Sequence, residues 1–191
     1  MTERPSSSIE DTPATPRVTA KQTIVLVGLM GAGKTTVGRR LARELGIEFL
    51  DSDAEIEKAA GCTIPEIFDK FGETAFREGE QKVISRLLKA TPHVLATGGG
   101  AFMNDSTRTA IKEHSTSVWL DAEISILLER VSRKNNRPLL KTGDPEEILR
   151  RLAAERNPVY QQADIHVESG GGAHEDVVEE IIDQLEIWWQ R

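Results

Sequence analysis

The chain has 191 residues, of which 38% are hydrophobic and 29% are charged, and this composition is typical of a soluble globular protein rather than a disordered or membrane protein. The formal net charge of -7 argues against a general nucleic-acid-binding protein, because binding to the phosphate backbone needs a dense face of lysine and arginine. No apolar run approaches the roughly 18 residues that cross a bilayer, and the single cysteine, Cys62, excludes an internal disulfide, so we expect a cytoplasmic protein that uses no membrane.

The first twenty residues, MTERPSSSIEDTPATPRVTA, differ in composition from the rest of the chain. They are rich in Ser, Thr and Pro, and they contain acids and no apolar core, which argues against a signal or transit peptide. We therefore predict a disordered N-terminal tail over residues 1–20, to which we assign no role. Residues 21–191 are expected to form one compact domain.

Apolar runs and amphipathic segments alternate along that domain. Runs rich in β-branched residues predict five strands buried on both faces, at 23–28, 47–50, 93–97, 116–120 and 163–167. Amphipathic segments predict helices at 34–45, 73–90, 105–113, 123–133, 145–154 and 174–189. This alternation predicts an α/β fold of three layers, in which helices flank a central parallel five-stranded sheet. Residues 133–145, RKNNRPLLKTGDP, combine basic residues with turn formers and are expected to form a mobile lid.

The stretch GLMGAGKTT, residues 28–36, matches G-x-x-x-x-G-K-[ST] and lies between a predicted strand and a predicted helix. Its glycines let successive backbone N–H groups point at phosphate oxygens, and the positive end of the following helix favours the same anion. Lys34 is expected to bridge the β- and γ-phosphates, and Thr35 to offer its hydroxyl to Mg²⁺. Thr36 could instead pack or cap the helix. The sequence therefore predicts binding of ATP and Mg²⁺ by Gly31, Ala32, Gly33, Lys34, Thr35 and Thr36.

Two acids follow the second predicted strand, in FLDSDAEIE. Open α/β sheets bind ligands at the carboxyl ends of their strands, so Asp51 and Asp53 are expected beside the nucleotide. Asp51 could arrange metal-bound water as part of the metal site, while Asp53 accepts a hydrogen bond from an attacking hydroxyl. The alternative for Asp53 is a helix N-cap.

A glycine triplet, Gly98 to Gly100, follows the third predicted strand in ATGGGAF and would let the backbone approach a ligand closely, although a tight turn has the same pattern. Arg77, on a predicted helix, is either a solvated charge or a fork for a carboxylate. Glu80 lies one helical turn away and could hold that guanidinium in place.

Several of these motifs together resemble the shikimate kinase family. The matching stretches, in the order and at the spacing of that family, are GLMGAGKTTVGRRLA, FLDSDAEIE, IPEIFDKFGETAFREGE, ATGGGAF, RPLL and ERNPVY. The resemblance runs from about Lys21 to the final helix and implies the P-loop fold of nucleoside monophosphate kinases. It implies phosphorylation of the 3-hydroxyl of shikimate by ATP, which gives shikimate 3-phosphate and ADP on the route to chorismate and the aromatic amino acids.

The resemblance also implies a role for each matching residue. Asp53 would contact the ring hydroxyls of shikimate, Arg77 and Arg156 would hold its carboxylate, and Gly98, Gly99 and Gly100 would present backbone to it. Arg137 of RPLL would move in with the lid and, with Lys34, compensate the charge of the transferred phosphate. Arg130 would pack on the adenine ring, with a solvated helical charge as the alternative. The catalytic residues would thus be Lys34, Asp53 and Arg137.

Phe68 and Phe76 would line the substrate pocket by the same resemblance, although ordinary core positions explain them equally well. The segment SGGGAH, residues 169–174, departs from the usual adenine-contacting loop of the family, so contacts near Ser169 are not predicted. We expect a monomer, because no heptad array or large apolar stripe asks for a partner. The alternatives are a gluconate kinase, a nucleoside monophosphate kinase and a catalytically silent, nucleotide-gated regulatory domain.

Overall fold

The computed structural model describes residues 18–133 and 143–190. Within them, five parallel strands form one sheet in the order β2-β3-β1-β4-β5. The strands are β1 (Thr23–Val27), β2 (Glu48–Asp51), β3 (His93–Ala96), β4 (Ser115–Asp121) and β5 (Ile165–Glu168). Most of the predicted tail, 1–20, and of the predicted lid, 133–145, lies outside the described residues.

In the part of the chain that the structure describes, seven α-helices cover the sheet. They are α1 (Lys34–Leu45), α2 (Ser52–Ala60), α3 (Ile64–Leu87), α4 (Asp105–His114), α5 (Ile124–Ser132), α6 (Pro145–Tyr160) and α7 (His174–Trp189), with a short 3₁₀ helix at Ala101–Met103. The predicted α/β architecture with a central parallel five-stranded sheet is confirmed. None of the helices in the described part of the chain is both long enough and apolar enough to cross a membrane.

The strands in the centre of the sheet form the middle of the core. All residues of β1 and β3 are buried, because each of these strands has a neighbour on both sides and helices on both faces. The prediction that every strand is buried on both faces is wrong for β2 and β5. These are the edge strands, and Glu48, His166 and Glu168 are exposed on them, since an edge strand has only one neighbour.

The helix predictions missed the region between β2 and β3. The whole of α2 was not predicted, and α3 begins at Ile64 rather than at residue 73. A capping box at Thr63 and Glu66 starts α3, and Gly72, with φ of 78° and ψ of 174°, kinks it. In the first part of α3, Ile64, Ile67, Phe68 and Phe71 do recur at helical spacing, so the sequence carried a helix signal there that the prediction missed. The helix α2 has one large apolar residue, Ile56, and gives no such signal.

The predicted end of α6 at residue 154 is also wrong, because the helix continues through Pro158 to Tyr160. Proline removes one backbone donor from a helix and normally ends or kinks it. Here the extra turn is buried by Tyr160, which is completely inaccessible to solvent. Tertiary packing of that ring therefore outweighs the local preference.

The chain order places a ligand crevice at the carboxyl end of β1. After β1, the chain adds β2 and β3 on one side of that strand and β4 and β5 on the other. Such a reversal of strand order opens a crevice where connecting loops diverge, and open α/β sheets bind ligands there. The loop between β1 and α1 leads directly out of it.

The C-terminal helix α7 is fastened to the opposite, amino end of the sheet. The indole nitrogen of Trp189 donates to the hydroxyl of Thr116 at 2.9 Å, and the ammonium of Lys21 donates to the carbonyl oxygen of Trp189 at 2.7 Å. Both contacts give Trp189 a packing role far from the crevice. Cys62 is half-buried as a free thiol in the turn between α2 and α3.

Candidate active site

The loop between β1 and α1 has the backbone that a phosphate cradle requires. Gly28 and Gly33 have φ of 137° and 93°, which disfavour any residue with a side chain. A Cβ atom on Gly28 would also lie 2.5 Å from the carbonyl oxygen of Leu120 on β4. The helix α1 then begins at Lys34, so its N-terminal N–H groups and positive dipole end face the loop.

The ammonium of Lys34 lies against the first part of this loop. Its Nζ donates to the carbonyl oxygens of Gly28 at 2.7 Å and of Leu29 at 2.9 Å. These bonds hold a positive charge beside the loop N–H groups, in the position from which it can reach a bound phosphate.

A hydroxyl and a carboxylate meet at the first turn of α1. The Thr35 hydroxyl donates to Oδ2 of Asp51 at 3.2 Å, and Oδ1 of Asp51 accepts from the backbone N–H of Asp53 at 3.1 Å. Asp51 is therefore the N-cap of α2, and the alternative that Asp53 serves as the cap is wrong. Within residues 18–133 and 143–190, no group of three or more His, Cys, Asp or Glu side chains could hold a metal ion. Two oxygen ligands nevertheless fit Mg²⁺, which takes few ligands from a protein and completes its shell with water and phosphate.

The glycine triplet after β3 meets three of the predicted site residues. A Cβ on Gly98 would lie 2.8 Å from Oδ1 of Asp53, and one on Gly100 would lie 2.8 Å from Nη1 of Arg77. A Cβ on Gly99 would lie 3.3 Å from Nη1 of Arg156. Three charged groups from α2, α3 and α6 thus converge on three successive residues, and larger side chains there would collide with Asp53 and Arg77.

Arg77 is fixed by its own helix. Its Nη1 donates to Oε2 of Glu80 at 2.7 Å and its Nη2 to Oε1 of Glu73 at 3.4 Å, while its guanidinium carbon lies 5.0 Å from the centre of the Phe76 ring. The predicted contact with Glu80 is confirmed, and the alternative that Arg77 is a solvated charge is wrong. Phe76 is buried in the core and Phe68 packs on it with ring centres 4.7 Å apart.

Glu80 is a buried carboxylate at the centre of this cluster. Only 2% of the residue is exposed, and its Oε1 accepts no hydrogen bond. Burial raises the pKa of Glu80, while Arg77, by a hydrogen bond and by charge, lowers it. The carboxylate of Asp53 adds to the rise and the guanidinium of Arg156 opposes it. The charged groups around the glycine triplet therefore influence the protonation of Glu80.

Arg130, on α5, binds both the phosphate loop and the segment that follows β5. Its guanidinium donates to the carbonyl oxygens of Gly31 at 3.3 Å, Ser169 at 3.3 Å and Gly170 at 2.8 Å. Burial lowers the pKa of Arg130, although a guanidinium remains charged at any ordinary pH. The alternative that Arg130 is a solvated charge is therefore wrong. Ser169, for which no contact was predicted, is buried and donates to the carbonyl oxygen of Ala32 at 2.8 Å.

One open cavity of about 350 Å³ is lined both by the phosphate loop and by residues at the glycine triplet. Its walls include Lys34 and Thr35 from the phosphate loop, Asp53, Gly99 and, from α7, His174. The backbone of the two sides is in near contact, because a Cβ on Gly99 would lie 3.6 Å from the carbonyl oxygen of Gly28.

Two of the residues found at this site were not predicted. The imidazole Nδ1 of His174 is buried without a hydrogen-bond partner, and Tyr160 donates its hydroxyl proton to the carbonyl oxygen of Gly99. Tyr160 ends the matching stretch ERNPVY, which could have pointed to it, whereas His174 carries no local pattern that separates it from an ordinary helical residue. Arg137, predicted as catalytic, lies outside the described residues.

Comparisons with known proteins identify the family of this chain. A sequence profile described as shikimate kinase matches residues 30–186. A shikimate kinase of Caulobacter vibrioides is 56% identical over 164 residues, which are 86% of this chain and 82% of that relative. A solved shikimate kinase of Acinetobacter baumannii in complex with shikimate gives a TM-score of 0.82 at 45% identity, covering 86% of this chain and 92% of its own. A gluconokinase of Sinorhizobium meliloti gives a TM-score of 0.60 at 19% identity, covering 91% of this chain and 99% of its own, and this likeness extends to the fold alone.

Proposed function

Because the chain belongs to the shikimate kinase family, we propose that it transfers the γ-phosphate of ATP to the 3-hydroxyl of shikimate. The products are shikimate 3-phosphate and ADP, on the route to chorismate. The convergence of two arginines and one aspartate on the triplet Gly98 to Gly100, beside the phosphate loop, is the observation that carries this assignment.

The acceptor side suits a small hydroxylated carboxylate. Arg77 and Arg156 offer planar guanidinium groups, which bind a carboxylate through paired hydrogen bonds. Asp53, on the far side of the triplet, accepts hydrogen bonds from ring hydroxyls and orients the attacking oxygen. A loose transition state for phosphoryl transfer demands little early proton removal, so Asp53 need not be a strong base. Positioning of the acceptor supplies most of the catalytic effect.

The donor side supplies charge compensation. The loop N–H groups and Lys34 bind the phosphates, and Arg130 packs against the adenine ring. Thr35 and Asp51 would hold Mg²⁺, which neutralises phosphate charge when it is bound. We assign Arg137 to the same task, together with a lid over 133–145 that excludes water and so suppresses hydrolysis of ATP.

Gluconate kinase activity is the nearest alternative, because the same fold serves a gluconokinase. The family match favours shikimate, because it covers the acceptor motifs as well as the phosphate loop. We also propose that the enzyme acts as a cytoplasmic monomer. Among the described residues, the large exposed hydrophobic side chains are Phe71 and Ile187, too few for an extended apolar interface.

The decisive experiment follows ADP release by the purified full chain with Mg²⁺ and ATP, in parallel reactions with shikimate, gluconate, a nucleoside monophosphate or no acceptor. Turnover with shikimate alone is expected. ADP release with another acceptor would overturn the acceptor assignment and leave the phosphate loop intact. Binding of ATP with no turnover on any acceptor would instead support a regulatory domain.

A further inference from the structure

The last turn of α6 carries a second polar group to the glycine triplet. Arg156 and Tyr160 are four residues apart, so they lie on the same face of the helix. Arg156 reaches the side of Gly99, and the Tyr160 hydroxyl donates to the carbonyl oxygen of the same residue. Gly99 is therefore held between two side chains of one helical turn.

The position of the Tyr160 ring is tightly defined. The residue has no exposed surface, and its ring centre lies 6.4 Å from that of Phe102 and 6.1 Å from that of Trp119. Trp119 in turn borders the phosphate loop, since a Cβ on Gly28 would lie 3.5 Å from its Cδ1. The Tyr160 ring therefore lies between Trp119, which borders the phosphate loop, and the backbone of Gly99 in the glycine triplet.

The chemistry of the hydroxyl suits a fixed donor. Burial raises the pKa of Tyr160 to about 12, against the opposing charge and hydrogen bond of Arg156. The hydroxyl therefore keeps its proton at any pH used for assay. With the proton directed at Gly99, the oxygen lone pairs remain available to accept from the guanidinium of Arg156, which lies on the same face of the helix.

We propose that Tyr160 is a positioning residue for the acceptor site, which uses one hydroxyl to fix both the Gly99 peptide and the guanidinium of Arg156. This inference rests on the proposed function, because it assigns to the pair Gly99 and Arg156 a share in binding shikimate. Tyr160 itself touches neither reacting group. It acts by holding two groups that do, at the separation that the carboxylate requires.

Tyr160→Phe removes the hydroxyl and leaves the ring. We expect the KM for shikimate to rise about tenfold, as for loss of a hydrogen bond to a charged group, while kcat and the KM for ATP stay within about twofold of wild type. Ser117→Ala is the matched control, because Ser117 is a buried hydroxyl on β4 that donates to Asp164 at 2.7 Å, away from the site. It should lower the melting temperature without changing the KM for shikimate.

A double-mutant cycle tests the proposed route of action. Because Tyr160 holds Arg156 as well as Gly99, Tyr160→Phe should raise the shikimate KM by a clearly smaller factor in an Arg156→Ala background than in the wild type. Additive effects, or an unchanged KM in the single variant, would overturn the proposal. So would a parallel fall in all kinetic parameters that tracks the melting temperature, since that is a structural role alone.

The chain also allows a test that requires no variant. Tyr160 is the only tyrosine in the sequence, so growth on 3-fluorotyrosine gives a protein with one fluorine-labelled residue. We expect its fluorine resonance to shift during titration with shikimate and to saturate near the KM. An unmoved resonance in a preparation that phosphorylates shikimate would refute the role of Tyr160. A preparation without shikimate turnover would instead refute the proposed function.

Discussion

The donor and acceptor sides of the cavity are built by different means. The phosphate loop of the donor side is one continuous stretch of chain, in which Gly28 and Gly33 lie between β1 and α1 and Lys34 begins α1. The acceptor side is assembled from α2, α3, α6 and the turn after β3, and its contacts join residues far apart in sequence. Local backbone geometry therefore defines phosphate binding, whereas recognition of the acceptor depends on the tertiary fold.

The largest effect is expected from removing the Lys34 charge on the donor side. Lys34→Met should lower kcat about 1,000-fold, because a preorganised cation that stabilises transition-state charge contributes on this scale. Shikimate affinity, measured by calorimetry, should remain close to wild type if the two sides are separable. Lys58→Met is the control, since Lys58 is an exposed lysine paired only loosely with Glu55 at 3.5 Å. A large loss of shikimate affinity in Lys34→Met would show that the sides are not independent.

On the acceptor side, Arg77→Ala should raise the KM for shikimate about 100-fold through loss of a charged, paired contact. It should also destabilise the protein by about 2 kcal/mol, because the buried Glu80 carboxylate loses its cation. The two effects can be separated with the double variant Arg77→Ala, Glu80→Gln. Removing the buried charge should restore much of the melting temperature and leave the shikimate KM high. Recovery of both together would mean that Arg77 acts through stability and not through the carboxylate.

The difference between the two sides also explains what the sequence could predict. The phosphate loop was found from its own residues, because its motif specifies the backbone locally. Asp53 and Arg77 were candidates from their own positions, but Arg156 and the shared role of the three in binding the acceptor came from the resemblance, since no local pattern says that residues so distant in sequence meet at one triplet. The buried state of Glu80 could not be predicted either, because carboxylates on helices are normally exposed.

Long-range packing also explains why the end of α6 and the exposure of β2 and β5 were predicted wrongly. The helix predicted over 145–154 continues through Pro158, because burial of Tyr160 extends it and brings the Tyr160 hydroxyl to Gly99. The exposed edges β2 and β5 could not be distinguished from central strands by composition, because strand order is a property of the assembled sheet. The positions of the residues that complete the acceptor side thus depend on long-range packing. A local sequence pattern does not report such packing.

Arg130→Ala is expected to have a smaller effect, which is confined to the KM for ATP. The guanidinium joins the phosphate loop to the segment after β5 through Gly31 and Gly170. In the proposed function it also packs against the adenine ring. We expect the KM for ATP to rise about tenfold, with the KM for shikimate unchanged. Arg150→Ala is the control, because Arg150 is exposed and pairs with Glu146 within α6. An equal rise in both KM values would show that the loop contacts of Arg130 reach the acceptor side.

The smallest effect concerns pH and the donor side alone. Burial lowers the pKa of His174, helped by the positive charges of Arg130 on α5 and Arg40 on α1 and opposed by Glu175 on its own helix. The unfolded chain, with an ordinary histidine pKa of about 6.5, therefore binds more protons than the folded protein just below that pH. Stability contributed by neutral His174 is present above that range and is lost as the pH falls through it.

His174→Gln should flatten this part of the stability curve, measured as melting temperature between about pH 5 and about pH 7.5. The other three histidines of the chain are unchanged in the variant and cancel in the comparison. His114→Gln, at the exposed end of α4, controls for loss of an imidazole. A wild-type slope in His174→Gln would show that the neighbouring arginines do not disfavour its protonation. A flattened slope would locate this acid sensitivity at His174, near the positive charges of Arg130 and Arg40.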